Sequence, residues 1–135
     1  MMNRKLIAKA ISGSDGFGNS IICKPPEFRV ILKLNTGKKR NIGKLVKYSD
    51  KVYFVIKRDK SKHLLRKANS WGLNDSVVQA LPDDCHIILN EKRGSVYYIP
   101  VESVKENGSY LWFKNQGFER QIFVELKYWK EEYND

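Results

Sequence analysis

The chain has 135 residues, of which 41% are hydrophobic and 12% aromatic, a composition that fits one globular domain with its own core and excludes a disordered tail. No apolar run approaches the ~20 residues that cross a bilayer, and the start, MMNRKLIAKAISG, has its apolar patch interrupted by Lys9, which argues against a signal peptide. The net charge of +10 is unevenly spread: residues 1–67 hold 18 Lys and Arg against 4 Asp and Glu, whereas residues 68–135 hold 7 against 11. A basic half of this kind favours a polyanionic partner and no membrane, in an expected cytoplasmic setting.

In chain order, KLIAKAI (5–11) and SIICK (20–24) read as short strands around the glycine-rich loop GSDGFGN (13–19). That loop lacks the Gly-Lys-Ser/Thr ending of a phosphate-binding loop and is read as a hairpin turn. After Pro25-Pro26, FRVILKL (28–34) alternates, with Phe28, Val30, Leu32 and Leu34 on one face. NIGKLVK (41–47) and VYFVIKR (52–58) follow across short polar turns, which predicts an antiparallel meander. The first of those turns leads into Lys38, Lys39 and Arg40, expected at an exposed tip.

From Asp59 the pattern changes period. Leu64, Ala68 and Trp71 recur at i, i+4 and i+7, Gly72 suits a helix end, and Asn74 can cap DSVVQAL (75–81) before Pro82. The prediction is a central pair of short helices over 59–81. Its second member begins with Asp75, which repels phosphate, so the pair is expected to be a packed corner and not a base-reading helix-turn-helix. Strands resume with CHIIL (85–89) and SVYYIPV (95–101), then YLWFK (110–114) and RQIFVELKYW (120–129), two predicted hairpins. ESVKENGS (102–109) between them is read as a loop or a helical turn ending at Gly108, NQGFE (115–119) as a turn, and KEEYND as a frayed end. The expected fold is therefore α+β in one domain: a basic β-rich half (1–58), a helical pair (59–81) and a β-hairpin half (85–129).

Two cysteines, Cys23 and Cys85, stand 62 positions apart, and with His63 and His86 they form no metal-ligand spacing. No cofactor is expected. The cations Lys57, Arg58, Lys60, Lys62, Arg66 and Lys67 fall within 11 residues, opposed only by Asp59, and Lys38, Lys39 and Arg40 add a second cluster. Cations held on one surface are what phosphate contacts require. Tyr48 and Tyr53 offer faces on which unpaired bases could stack. The favoured expectation is a non-enzymatic protein binding DNA or RNA through these nine residues.

Two other readings stay open. Phe123-Val124-Glu125-Leu126-Lys127 resembles the acid-x-lysine half of the PD-(D/E)XK nucleases. That resemblance implies Glu125 as a metal-bound carboxylate, Lys127 beside the attacked phosphate, Asp83 or Asp84 after Pro82 as a second ligand, and Mg²⁺ or Mn²⁺ as cofactor. The aromatic residues of the C-terminal hairpin, among them Tyr110, Trp112, Phe118 and Trp129, instead suit a protein-interaction or inhibitor module with a protein partner. Lys, Asn and Ile abundance in a compact chain suits a virus or plasmid protein.

Overall fold

Alternating burial from Arg29 onward builds the framework. In a computed structural model, which describes residues 3–114 and 118–132, β3 (Arg29–Lys33), β4 (Lys39–Tyr48) and β5 (Lys51–Arg58) form the antiparallel meander, burying Val30, Leu32, Leu45, Phe54 and Ile56 on one face. Two short strands, β1 (Gly13–Ser14) and β2 (Ser20–Ile22), extend it at one edge as a hairpin. Gly43 sits at φ +154°, beside a register shift between Val30 and Ile31; a Cβ there would lie 2.5 Å from the Phe54 ring and 2.9 Å from the Val55 carbonyl. Only glycine fits, and the bulge re-aims the start of β4. Lys39 and Arg40 consequently lie on β4, not at a hairpin tip; the turn is formed by residues 35–37.

Beyond β5 the chain leaves the large sheet and returns to it after the 27 residues 59–85. α2 (Lys60–His63) is one turn, capped by Asp59, and β6 (Leu64–Leu65) and β7 (Ser70–Asn74) follow as a hairpin. The expected first helix is thus wrong after His63. The spacing of Leu64 and Trp71 that mimics a helix is a cross-strand pair, and Asn69 turns the chain at φ 49°. Gly72 ends no helix: it lies inside β7, where a Cβ would meet the Phe123 ring and Gln121 Oε1 at 2.6 Å. The second helix is as expected, α3 (Asp75–Ala80), with Asn74 Oδ1 accepting from Val77 N at 3.0 Å. Two short helices therefore flank a strand pair.

This excursion is the crossover that lets β8 (His86–Glu91) pair parallel to β5, since parallel neighbours cannot be joined by a tight turn. β9 (Val96–Pro100) returns antiparallel, and Pro100, its last residue, leads into α4 (Val101–Asn107), which stops at Gly108. β10 (Ser109–Phe113) and β11 (Glu119–Glu125) form the last hairpin; residues 115–117 of its expected turn lie outside the described residues. The strand expected over 120–129 stops at Glu125. A 3-10 turn (Leu126–Tyr128) then redirects the chain, and β12 (Lys130–Glu132) pairs with β9 where a frayed end was expected; residues 133–135 lie outside the described residues.

KLIAKAI is also not a strand. It is α1 (Arg4–Ile11), capped by Asn3 and burying Ile7, Ala8 and Ile11 on one face while Lys5 and Lys9 stay outside. The result is α+β: a mixed sheet ordered β1-β2-β3-β4-β5-β8-β9-β12 and an antiparallel sheet ordered β10-β11-β7-β6. α3 touches β7, β11, α1 and α4, and α1 and α4 reach β4 and β9, so one core joins the helices to both sheets. The small sheet contributes Trp71, Leu73, Ile122 and Val124, all 0–1% exposed. Both cysteines are buried and unpaired, and burial pushes each thiol up to about 11.

Candidate nucleic-acid interface

Strand alternation gives the small sheet two chemically different faces. Trp71, Leu73, Ile122 and Val124 turn to the core; Gly72, Asn74, Glu119, Gln121 and Phe123 turn the other way. The second face is the floor of a cleft of about 590 Å³, walled by the start of β4, the end of β5 and α2. Arg40, Lys57, Arg58, Lys62 and His63 line it. Lys57 and Arg58 also line two neighbouring hollows, one of about 470 Å³ reaching Lys92 and one of about 270 Å³ reaching Arg29 and Lys44. Lys57 and Arg58 are thus shared by all three hollows, and the one reaching Lys92 also carries Asp59 and Glu91.

Two contacts tie its basic wall to its floor. Arg40 Nη2 donates to both carboxylate oxygens of Glu119, whose side chain is 4% exposed, and Gln121 Nε2 donates to Glu119 Oε1 at 2.5 Å. Arg58 Nη2 donates to the Gly72 carbonyl at 3.2 Å. Burial, with Arg40 nearby and against the pull of Glu119, brings the Arg58 guanidinium down to about 10, so it remains charged at neutral pH. Lys57 and Lys62 are exposed and make no ion pair among the described residues. Both can therefore meet an anion, with Asp59 near Lys62.

His63 Nδ1 accepts from Asp59 N at 2.9 Å, which leaves the hydrogen of the neutral ring on Nε2. Although exposed overall, the ring is partly desolvated against the cleft wall; with the Arg58 charge this holds its pKa below the ordinary 6.5. The unfolded chain then takes up the proton first as pH falls. The His63 contribution is intact above 6.5, is lost as pH drops from there through the folded-state value, and levels off below it. Urea titrations at pH 7.5 and 5.5 are expected to show a larger acid loss in the wild type than in His63→Gln, and equal losses would contradict this.

The remaining expected contacts disperse. Lys38 is exposed just before β4, Lys39 is exposed with Lys33 as its register partner, and Lys60 is paired to Glu91 at 3.3 Å. Arg66 and Lys67 are in the turn between β6 and β7, not on a helix, and do not line the cleft. Tyr48 is 74% exposed at the end of β4, and Tyr53 faces His86 at 6.3 Å; neither lines the cleft. What sequence reading missed is the floor: Asn74, Glu119 and Gln121 carried no signal until β7 and β11 were known to be neighbours.

The acidic candidates also separate. Asp83 pairs with Lys105 at 3.2 Å, while Glu125 meets Lys127 at 3.8 Å, the lysine standing in the 3-10 turn and not on the strand. Among the described residues no three His, Cys, Asp or Glu are grouped to hold a metal, so Asp83, Asp84 and Glu125 form no such group. The aromatic residues split by face. Phe113 and Phe123 meet on the cleft side, with centroids 5.6 Å apart, and Trp129 is buried. Tyr110 and Trp112 are 48% and 45% exposed, Trp112 stacks on Phe118 at 4.4 Å, and Arg120 lies over both exposed rings while bonding the buried Asp75.

No described helix is long and apolar enough to cross a membrane. Over 58 residues the chain is 29% identical to the phosphoribosylformylglycinamidine synthase subunit PurL of Prochlorococcus marinus (strain MIT 9312), a match that covers 43% of this chain and 7% of that protein. No family model and no solved structure matches the chain.

Proposed function

We propose that this is a small non-enzymatic nucleic-acid-binding protein that holds a phosphate backbone in the groove between its two sheets. The observation that carries this reading is the convergence of Arg40, Lys57, Arg58 and Lys62 on one cleft, with Lys57 and Lys62 in no salt bridge among the described residues. Surface lysines spread for solubility need not gather in one place, whereas phosphate contacts use cations held on one surface, and a cleft focuses their field. Buried, unpaired cysteines suit a reducing cytoplasm as its setting. Gel retardation with a labelled oligonucleotide at 50 and 200 mM salt tests the proposal: binding at low salt that weakens steeply supports it, and no binding at low salt overturns it.

A second reading has its own observation. Tyr110, Leu111 and Trp112 are each 41–48% exposed on β10, an edge strand of the small sheet. Such a stretch suits a protein partner, and a Trp112→Ala variant that loses partner capture with unchanged oligonucleotide affinity would favour it.

A further inference from the structure

The cleft floor carries a hydrogen-bond donor and an acceptor side by side, in orientations the fold dictates. Asn74 and Gln121 are register partners on β7 and β11. Asn74 must present its Oδ1 to Val77 N, because a backbone N–H only donates, and this turns its Nδ2 away from the helix. Gln121 must present its Nε2 to Glu119, because a carboxylate paired with Arg40 only accepts, and this leaves its Oε1. Neither leftover atom makes a hydrogen bond among the described residues, and neither is sealed from solvent. Both residues line the cleft, with the Phe113 and Phe123 rings beside them and Lys57 and Lys62 on the wall.

We infer that the cleft takes an unpaired nucleotide, with its base edge on Asn74 Nδ2 and Gln121 Oε1, its face on Phe113, and its phosphate on Lys57 and Lys62. This rests on the nucleic-acid reading above and narrows it. A donor beside an acceptor is what one Asn or Gln amide offers to adenine N6 and N7, and here two neighbouring amides offer the same two groups to a base edge, while Phe113 requires an unstacked face. A base inside a duplex has its pairing edge occupied and its faces stacked, so it cannot enter; bases of single strands and free nucleotides present both. The cleft volume of about 590 Å³ falls within the 300–1,000 Å³ typical of small-ligand sites.

The test is fluorescence anisotropy with a labelled 12-nucleotide single strand and with its duplex at one salt concentration. Wild type is compared with Gln121→Ala, Asn74→Ser, which keeps a capping oxygen, and Phe113→Leu, each checked by thermal melting; Phe113 is only half-buried, which protects that variant's folding. The single strand is expected to bind at least about tenfold tighter than the duplex, and each variant to erase about fivefold or more of that preference while leaving duplex binding unchanged. Competition by millimolar nucleoside monophosphates assigns the site to free nucleotides, and a lack of competition assigns it to a nucleotide within a strand; either supports the inference when the preference is present. Equal affinity for strand and duplex, or variants that bind as the wild type does, overturns the inference and leaves backbone binding standing. No binding of either form overturns the nucleic-acid reading itself, and this inference with it.

Discussion

A Lys57→Ala/Lys62→Ala variant is expected to bind nucleic acid with a salt slope reduced by about 1.4–1.8, while an Arg66→Ala/Lys67→Ala variant keeps a slope near that of the wild type. The two variants remove the same formal charge from sites a few residues apart in sequence. They differ only in place: Lys57 and Lys62 line the cleft, and Arg66 and Lys67 occupy the turn between β6 and β7. Each phosphate that a cation neutralises releases about 0.7 counterion from a single strand and about 0.9 from a duplex, so two lost contacts set the expected change. Raising salt fourfold should then weaken the wild type about tenfold more than the cleft variant. Both lysines are exposed and unpaired among the described residues, so the melting temperature should hold, and surface substitutions of this kind stay within about 0.5 kcal/mol. Equal slopes for the two variants would mean that net charge alone governs binding and that the cleft does not.

The contrast between those variants also marks how far the sequence could be read. Strands with clean alternation, such as Arg29–Lys33 and Lys51–Arg58, were legible because one face is buried and the other wet. The helix predicted after Asp59 failed where a hairpin placed Leu64 opposite Trp71, seven residues on, a spacing that a helix also brings onto one face. Tertiary pairing decided it: β7 is a central strand, with Leu64 of β6 and Val124 of β11 on either side of Trp71, and all five of its residues are buried, so it shows no alternation to read. α1 was missed for the opposite reason, since eight residues with β-branched isoleucines look like a strand unless Asn3 is recognised as a cap. For the site, the cations of the β5–α2 junction were visible as a charge run. Their usable geometry was not, because the small sheet that forms the cleft floor is assembled from segments 45 or more residues apart, and Glu119 and Gln121 read as ordinary polar positions of a hairpin.

Arg40→Met is expected to destabilise the protein by about 3 kcal/mol, and Glu119→Gln to move stability and binding in opposite directions. The Arg40–Glu119 pair joins β4 of the large sheet to β11 of the small one, with the carboxylate 4% exposed and the guanidinium side chain 38% exposed. Removing the cation leaves a buried carboxylate with Gln121 as its hydrogen-bond donor among the described residues and Arg58 as a weaker cationic neighbour. Broken buried pairs cost about 3–5 kcal/mol, and the partial exposure of Arg40 puts this one at the low end. For a chain of this length the melting temperature should fall by about 10 °C. Replacing both partners, as Arg40→Met/Glu119→Leu, removes the stranded charge and should recover most of that loss, since apolar replacement of an ion pair is often near neutral. Glu119→Gln keeps an acceptor for Arg40 but deletes the carboxylate that lines the cleft among the described residues, so it should lower stability while raising the salt slope by about 0.7–0.9 as Arg40 becomes available to phosphate. A double-mutant cycle of wild type, Arg40→Met, Glu119→Leu and Arg40→Met/Glu119→Leu, melted in parallel, isolates the pair, and Glu119→Gln is melted and titrated beside it. If the single and double variants melt together, the pair is not what holds the cleft wall to its floor; if Glu119→Gln weakens binding, the carboxylate orients the floor amides more than it offsets the charge of the wall.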